Sequence, residues 1–154
     1  MGKSLTLTSI SPISFDMKSH NYSFELKSDV DELETLCQHL NQFGEITGLS
    51  EACIHDMNIC LDEMFTNITS YGFEDDLEHI ISFTINLDNL ELTLIIEDDG
   101  IPFNPLEKKE PETPPDLIDV RIGGLGIHIV RKLMDGLSYK RESNKNKFTM
   151  KKFI

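Results

Sequence analysis

The chain has 154 residues, 39% of them hydrophobic and 27% charged, which suits one globular domain with its own core and leaves too little for two. With 27 acidic against 14 basic residues the formal net charge is −13, a field that repels nucleic-acid backbones and anionic membranes and favours a positively charged protein partner. No apolar stretch reaches the roughly 20 residues of a membrane span and the N-terminus has no apolar signal segment, so a cytoplasmic protein is expected.

Along the chain, LTLTSI and NYSFELKS alternate like strands on either side of Ser11-Pro12. Asp29 or Ser28 can cap a helix through Leu33, Leu36, Leu40 and Phe43 that is expected to end near Gly44. A second helix is expected to start at Ser50, with Cys53, Met57, Cys60, Leu61, Met64 and Ile68 on one buried face. The three cysteines, Cys37, Cys53 and Cys60, lie in apolar helical patterns and are expected to be buried thiols. HIISFTINLD and LELTLIIEDDG read as two strands joined at Asp88-Asn89. From Asn104 to Arg121 the chain is polar and rich in proline, and it should form an exposed loop able to order over a ligand. An amphipathic helix follows with Ile127, Ile129, Val130, Leu133 and Met134 inside, and the chain closes with a hairpin around Ser143-Asn144-Lys145-Asn146.

Three short segments carry chemistry. In LDEMFTNI, Glu63 and Asn67 are one helical turn apart at the margin of the buried face. A carboxylate and an amide so placed can serve an attacking hydroxyl and a metal ion, although on an isolated helix they are ordinary solvent-edge residues. In DDGIP a strand ends in Asp98, Asp99 and Gly100. A carboxylate there can accept from an adenine amino group, and the same tripeptide also makes a plain turn. In GGLG, from Gly123 to Gly126, glycines open a helix whose first backbone amides can receive phosphate. Together these describe a nucleotide pocket without a P-loop.

The three segments resemble the N, G1 and G2 boxes of the GHKL superfamily of ATPases, which includes gyrase, MutL and sensor histidine kinases. More narrowly, LDEMFTNITSYGF, EDDGIPFNP, GGLGIHIVRKLMD and the closing NKFTMKKF are similar to the free-standing anti-sigma-factor serine-protein kinases of bacteria, from about Ser23 to Phe153. The resemblance implies an α+β two-layer sandwich, the Bergerat ATP-binding fold. Its sheet would be mixed and mainly antiparallel, with three helices on one face. Residues 1–154 would be one domain, with 104–122 as the ATP lid and 1–20 leaving room for an extra N-terminal strand.

Residue by residue, the resemblance makes Glu63 the carboxylate that deprotonates the attacking hydroxyl, Asn67 the magnesium ligand and Asp98 the adenine reader, with Gly100 letting the chain pass close to the base. Gly124 and Gly126 match the glycines at the hinge of the ATP lid, Gly123 and Leu125 belong to the same nucleotide-binding turn, and Thr149 sits where the family has a hydroxyl on the strand under the adenine. For the triphosphate charge the candidates are Arg121, which stands first because it abuts Gly123, then Lys108 and Lys109. Tyr71 stands where relatives often have histidine, and Phe73 where they have tyrosine. The implied function is an ATP- and magnesium-dependent serine/threonine protein kinase that phosphorylates an antagonist protein and regulates a sigma factor by partner switching, as a homodimer. The alternative is a clamp that binds nucleotide and a protein partner without transferring phosphate.

Overall fold

The computed structural model describes residues 19–109 and 126–154. Its elements are β1 (His20–Lys27), α1 (Leu33–Thr47), α2 (Glu51–Tyr71), β2 (Ile80–Asp88), β3 (Glu91–Asp98), α3 (Gly126–Leu133), β4 (Gly136–Glu142) and β5 (Lys145–Phe153). The strands form one sheet in the order β1-β2-β3-β5-β4. All four ladders are antiparallel, so the expected mixed sheet has no parallel pair among the described residues. The extra N-terminal strand and most of the lid fall on residues 1–18 and 110–125, outside the described residues.

Period-two patterning sets the layers. Ile81, Phe83, Ile85 and Leu87 of β2 and Leu92, Leu94 and Ile96 of β3 are buried, while the residues between them are half-buried or exposed on the other face. The buried set meets Leu36, Leu40 and Phe43 of α1, Met57, Leu61 and Phe65 of α2, and Ile127 and Val130 of α3 in one core. Each such side chain contributes about 1.5–3 kcal/mol by leaving water. The helices therefore cover one face of the sheet, and no helix among the described residues is long and apolar enough to cross a membrane.

The Asp29 side chain accepts the Asp31 N–H at 2.9 Å and caps a 3-10 turn, Val30–Glu32, that leads into α1. The expected stop at Gly44 does not occur, and α1 ends at Gly48, whose φ of 73° is left-handed. Gly44 serves packing instead: a Cβ there would run into the Ile54 side chain on α2. Ser50 caps α2 as expected, accepting the Cys53 N–H at 3.2 Å. The closing hairpin turns at Ser143 (φ 51°) and Asn144 (φ 61°), the positive pair that suits a twisted two-residue turn.

Two expectations about side chains and one about the proline-rich segment are corrected. Cys37 is exposed, because it lies beside the stripe formed by Leu36, Leu40 and Phe43. Ile129 is exposed while Ile127, Val130 and Met134 are buried, since α3 turns only a narrow stripe to the core. The start of the proline-rich segment is ordered, with Asn104 capping a 3-10 turn, Pro105–Glu107, through the Leu106 N–H at 3.0 Å.

Candidate functional site

A cavity of about 260 Å³ opens between the second half of α2, the sheet at β3, β5 and β4, and the segment from Ile101 to Lys108. Asn67, Ile68 and Tyr71 of α2 and Gly72 just after it form one wall, and Ile96, Asp98, Phe148 and Asn146 form the floor. The lining is mainly apolar with a few polar groups, the usual composition of a small-molecule site.

Asp98 is 5% exposed. Its Oδ1 accepts two hydrogen bonds, from Gly100 N–H at 2.8 Å and Asn146 Nδ2 at 2.9 Å. Oδ2 has no hydrogen bond among the described residues, and no buried side-chain polar atom there lacks a partner, so Oδ2 stays accessible from the cavity that Asp98 lines. Burial pushes the Asp98 carboxyl up from its usual range, and the bonds from Asn146 and Gly100 only partly offset this. The result is one oxygen fixed internally and one left to accept a donor from a ligand.

The support around Asp98 was missed by sequence reasoning. Asn146 faces Asp98 across the β3–β5 ladder and is buried. Its Nδ2 also donates to Ile101 O at 2.8 Å, and its Oδ1 accepts from Tyr139 Oη at 2.7 Å and Arg141 Nη1 at 3.0 Å. Arg141 Nη1 also donates to Gly100 O at 2.8 Å. Gly100 is required by space rather than by its φ, since a Cβ would meet the Gly72 carbonyl and lie 2.7 Å from Asp98 Oδ1. The signal was present in the sequence: in NKNKFTMKK, Asn146 is a polar residue in phase with the buried Phe148 and Met150.

Glu63 lies one turn before Asn67 on α2, outside the cavity lining, and its carboxylate packs against Gly126 at the first residue of α3. Neither Glu63 nor Asn67 has a side-chain hydrogen bond to another described residue. Burial and the neighbouring Asp62 charge raise the Glu63 carboxyl above its ordinary value, a shift that suits a group exchanging protons. Asn67 thus offers an uncommitted amide oxygen in the cavity lining, while the Glu63 carboxylate, one turn earlier on α2, lies against the start of α3.

The structure brings Asp98, Asn67 and Lys108 together in the cavity lining, with Gly100 outside the lining but bonded to Asp98, and sets Glu63 against Gly126. Thr149 does not join them. It is one residue out of phase with Phe148 and Met150, on the sheet face away from the helices, and Phe148 and Asn146 take the floor positions. Lys109 is exposed at the edge of the described segment. Arg121, Gly123, Gly124 and Leu125 lie outside the described residues.

A buried carboxylate beside a strand turn, an amide on the facing helix and an antiparallel sheet under three helices make up the arrangement of the GHKL fold. The family model for the histidine kinase-like ATPase domain matches residues 26–152, and the chain belongs to that family, which implies the use of ATP. The chain is 36% identical over 103 residues to the serine-protein kinase RsbW of Listeria monocytogenes, a match covering 62% of this chain and 64% of that protein. It is 26% identical over 98 residues to the anti-sigma F factor of Clostridium perfringens, covering 63% and 70%. The crystal structure of the RsbU and RsbW domains of Rv1364c from Mycobacterium tuberculosis has the same fold, with a TM-score of 0.60 at 12% identity over 87% of this chain and 32% of that one. The match thus spans less than two thirds of the RsbW relative.

Proposed function

We propose that the chain is an ATP- and magnesium-dependent serine/threonine protein kinase of the anti-sigma type, acting in the cytoplasm as a homodimer on an antagonist protein and regulating a sigma factor by partner switching. The observation that carries the nucleotide part is Asp98, with Oδ1 held by two internal donors and Oδ2 open to the cavity. The relatives named serine-protein kinase and anti-sigma F factor support the rest.

The residues present fit the ligands. Asp98 would accept the adenine amino hydrogen while Ile68, Ile96 and Phe148 enclose the base. Asn67 offers a neutral hard oxygen, suited to a magnesium ion that keeps most of its sphere for phosphates and water. ATP would supply the phosphoryl group and magnesium would neutralise its charge. Glu63, half-buried and raised in pKa, would take the proton of the acceptor hydroxyl, and the α3 amides near Gly126 would favour the anionic end of the site.

The test is capture of partners from native lysate with and without Mg-ATP, then single-turnover transfer to the captured protein by wild type and Glu63→Gln. Phosphate transferred by wild type and lost in the variant, with nucleotide affinity intact, supports the kinase. Capture and nucleotide binding without transfer by wild type leave only the nucleotide-gated clamp.

A further inference from the structure

The segment between α2 and β2 returns to the site through one histidine. The His79 backbone is tied to the end of β1, where Ser28 N–H donates to His79 O at 2.8 Å and His79 N–H donates to Ser28 Oγ at 3.2 Å. Its ring stacks on Phe73, with centroids 3.9 Å apart and planes 10° apart. Nε2 lies 2.6 Å from Asp75 Oδ1 and Nδ1 lies 3.2 Å from Asp99 Oδ1.

An ionised carboxylate only accepts, and a neutral imidazole has a single N–H. Both contacts are hydrogen bonds at once only when the ring carries both protons. In the neutral ring one nitrogen lone pair faces a carboxylate. Asp99 in turn sits between Asp98 and Gly100, and the next residue, Ile101, donates its N–H to Gly72 O at 2.8 Å. Among the described residues the groups facing the ring are Asp75 from the α2–β2 segment, Asp99 from the turn after β3, Ser28 from the end of β1, and Phe73. The nearby Lys27 is engaged with Glu78 at 3.0 Å.

We propose that His79 is a positioning residue for the base-reading turn: as an imidazolium it ties Asp99 to Asp75 and holds residues 98–101 in place, and its deprotonation loosens that turn and weakens nucleotide binding. The inference rests on the nucleotide site proposed above. Asp75 first, and then Asp99, raise His79 above the ordinary histidine value. The clamp is therefore complete below the ordinary value of about 6.5 and is lost as pH rises through the raised one.

Two measurements on the full chain test it. The first follows the His79 ring and the Gly100 and Ile101 amides by NMR between about pH 5.5 and 9 without nucleotide. The ring should titrate above the ordinary value with both amides on the same curve, and in Asp99→Asn it should titrate lower than in wild type. The second titrates Mg-ATP into wild type and His79→Gln across the same range. Wild-type affinity should fall about fivefold relative to the variant, a ratio in which the nucleotide's own protonation cancels. Amides that ignore the ring, a ring unaffected by Asp99→Asn, or a constant affinity ratio would each overturn the proposal. If Mg-ATP binds at no pH, the nucleotide reading fails instead, and the nucleotide-free curves still decide the clamp.

Discussion

Replacing Asp98 by asparagine separates the shape of the proposed base-reading group from its charge. Both internal donors converge on Oδ1, at 2.8 Å and 2.9 Å. Asparagine keeps those contacts only with its carbonyl oxygen in the Oδ1 place, which puts its NH2 where Oδ2 faces the cavity. A ligand amino group would then meet a donor instead of an acceptor. The lost hydrogen bond to a charged group is about 1.5–3 kcal/mol, or about 10- to 150-fold in Kd. A purine with a carbonyl at that position loses nothing by the change and gains a matched donor. Isothermal titration of ATP and GTP with magnesium should therefore show ATP affinity falling by this factor while the preference for ATP over GTP shrinks or reverses. An equal loss for both nucleotides, or none for either, refutes Asp98 as the group that reads the base.

Glu63→Gln should lower phosphotransfer about 10²- to 10⁴-fold in a single-turnover assay while leaving Mg-ATP affinity unchanged. In wild type the same rate should rise with pH through a value above the ordinary glutamate range, the limb set by the raised Glu63 carboxyl. Asn67→Ala should weaken ATP binding in magnesium and leave the weaker binding in excess chelator unaltered, as read by calorimetry; equal weakening in both conditions would remove Asn67 as the metal ligand. Gly100→Ala should cost about 1–3 kcal/mol in chemical denaturation, because its Cβ meets the backbone carbonyl of Gly72, which cannot rotate away as a side chain can.

The elements were legible wherever period and caps agree. Ser50 with the stripe from Cys53 to Met64, and the alternation of Ile81, Phe83, Ile85 and Leu87, were readable because local pattern and tertiary burial coincide there. Gly44 misled because glycine serves two roles, and only the nearness of Ile54 distinguishes a packing glycine from a helix stop. Glu63, Asn67 and Asp98 stand out in the sequence through spacing and resemblance, and the structure places Asn67 and Asp98 in one cavity and Glu63 against Gly126. Arg141 was not legible, and Asn146 showed only as a polar residue in a buried phase, because their partners are set by the β3–β5–β4 register that brings residues 98 and 146 face to face. Thr149 erred by a single residue, and in a strand one residue exchanges the two faces.

Asp98 and Glu63 share a cost that points to binding rather than folding. Burial raises both carboxyls, so the folded chain holds their protons more tightly than the unfolded chain does. Each contribution to stability is present below the unfolded value of about 4 and is lost as pH rises through the raised one. At neutral pH, Asp98 as a carboxylate therefore opposes folding of the ligand-free chain, and a donor arriving at Oδ2 relieves that opposition. Thermal melts of wild type and Asp98→Asn should show this directly. Without nucleotide, the variant's Tm relative to wild type should increase from near zero at about pH 4 to a plateau above the raised Asp98 value. With saturating Mg-ATP at neutral pH the order should reverse, because wild type binds more tightly and gains more by mass action. A variant no more stable than wild type at neutral pH without nucleotide would mean that Asn146 and Gly100 already offset the burial of Asp98, and the carboxylate would then be explained by the fold alone.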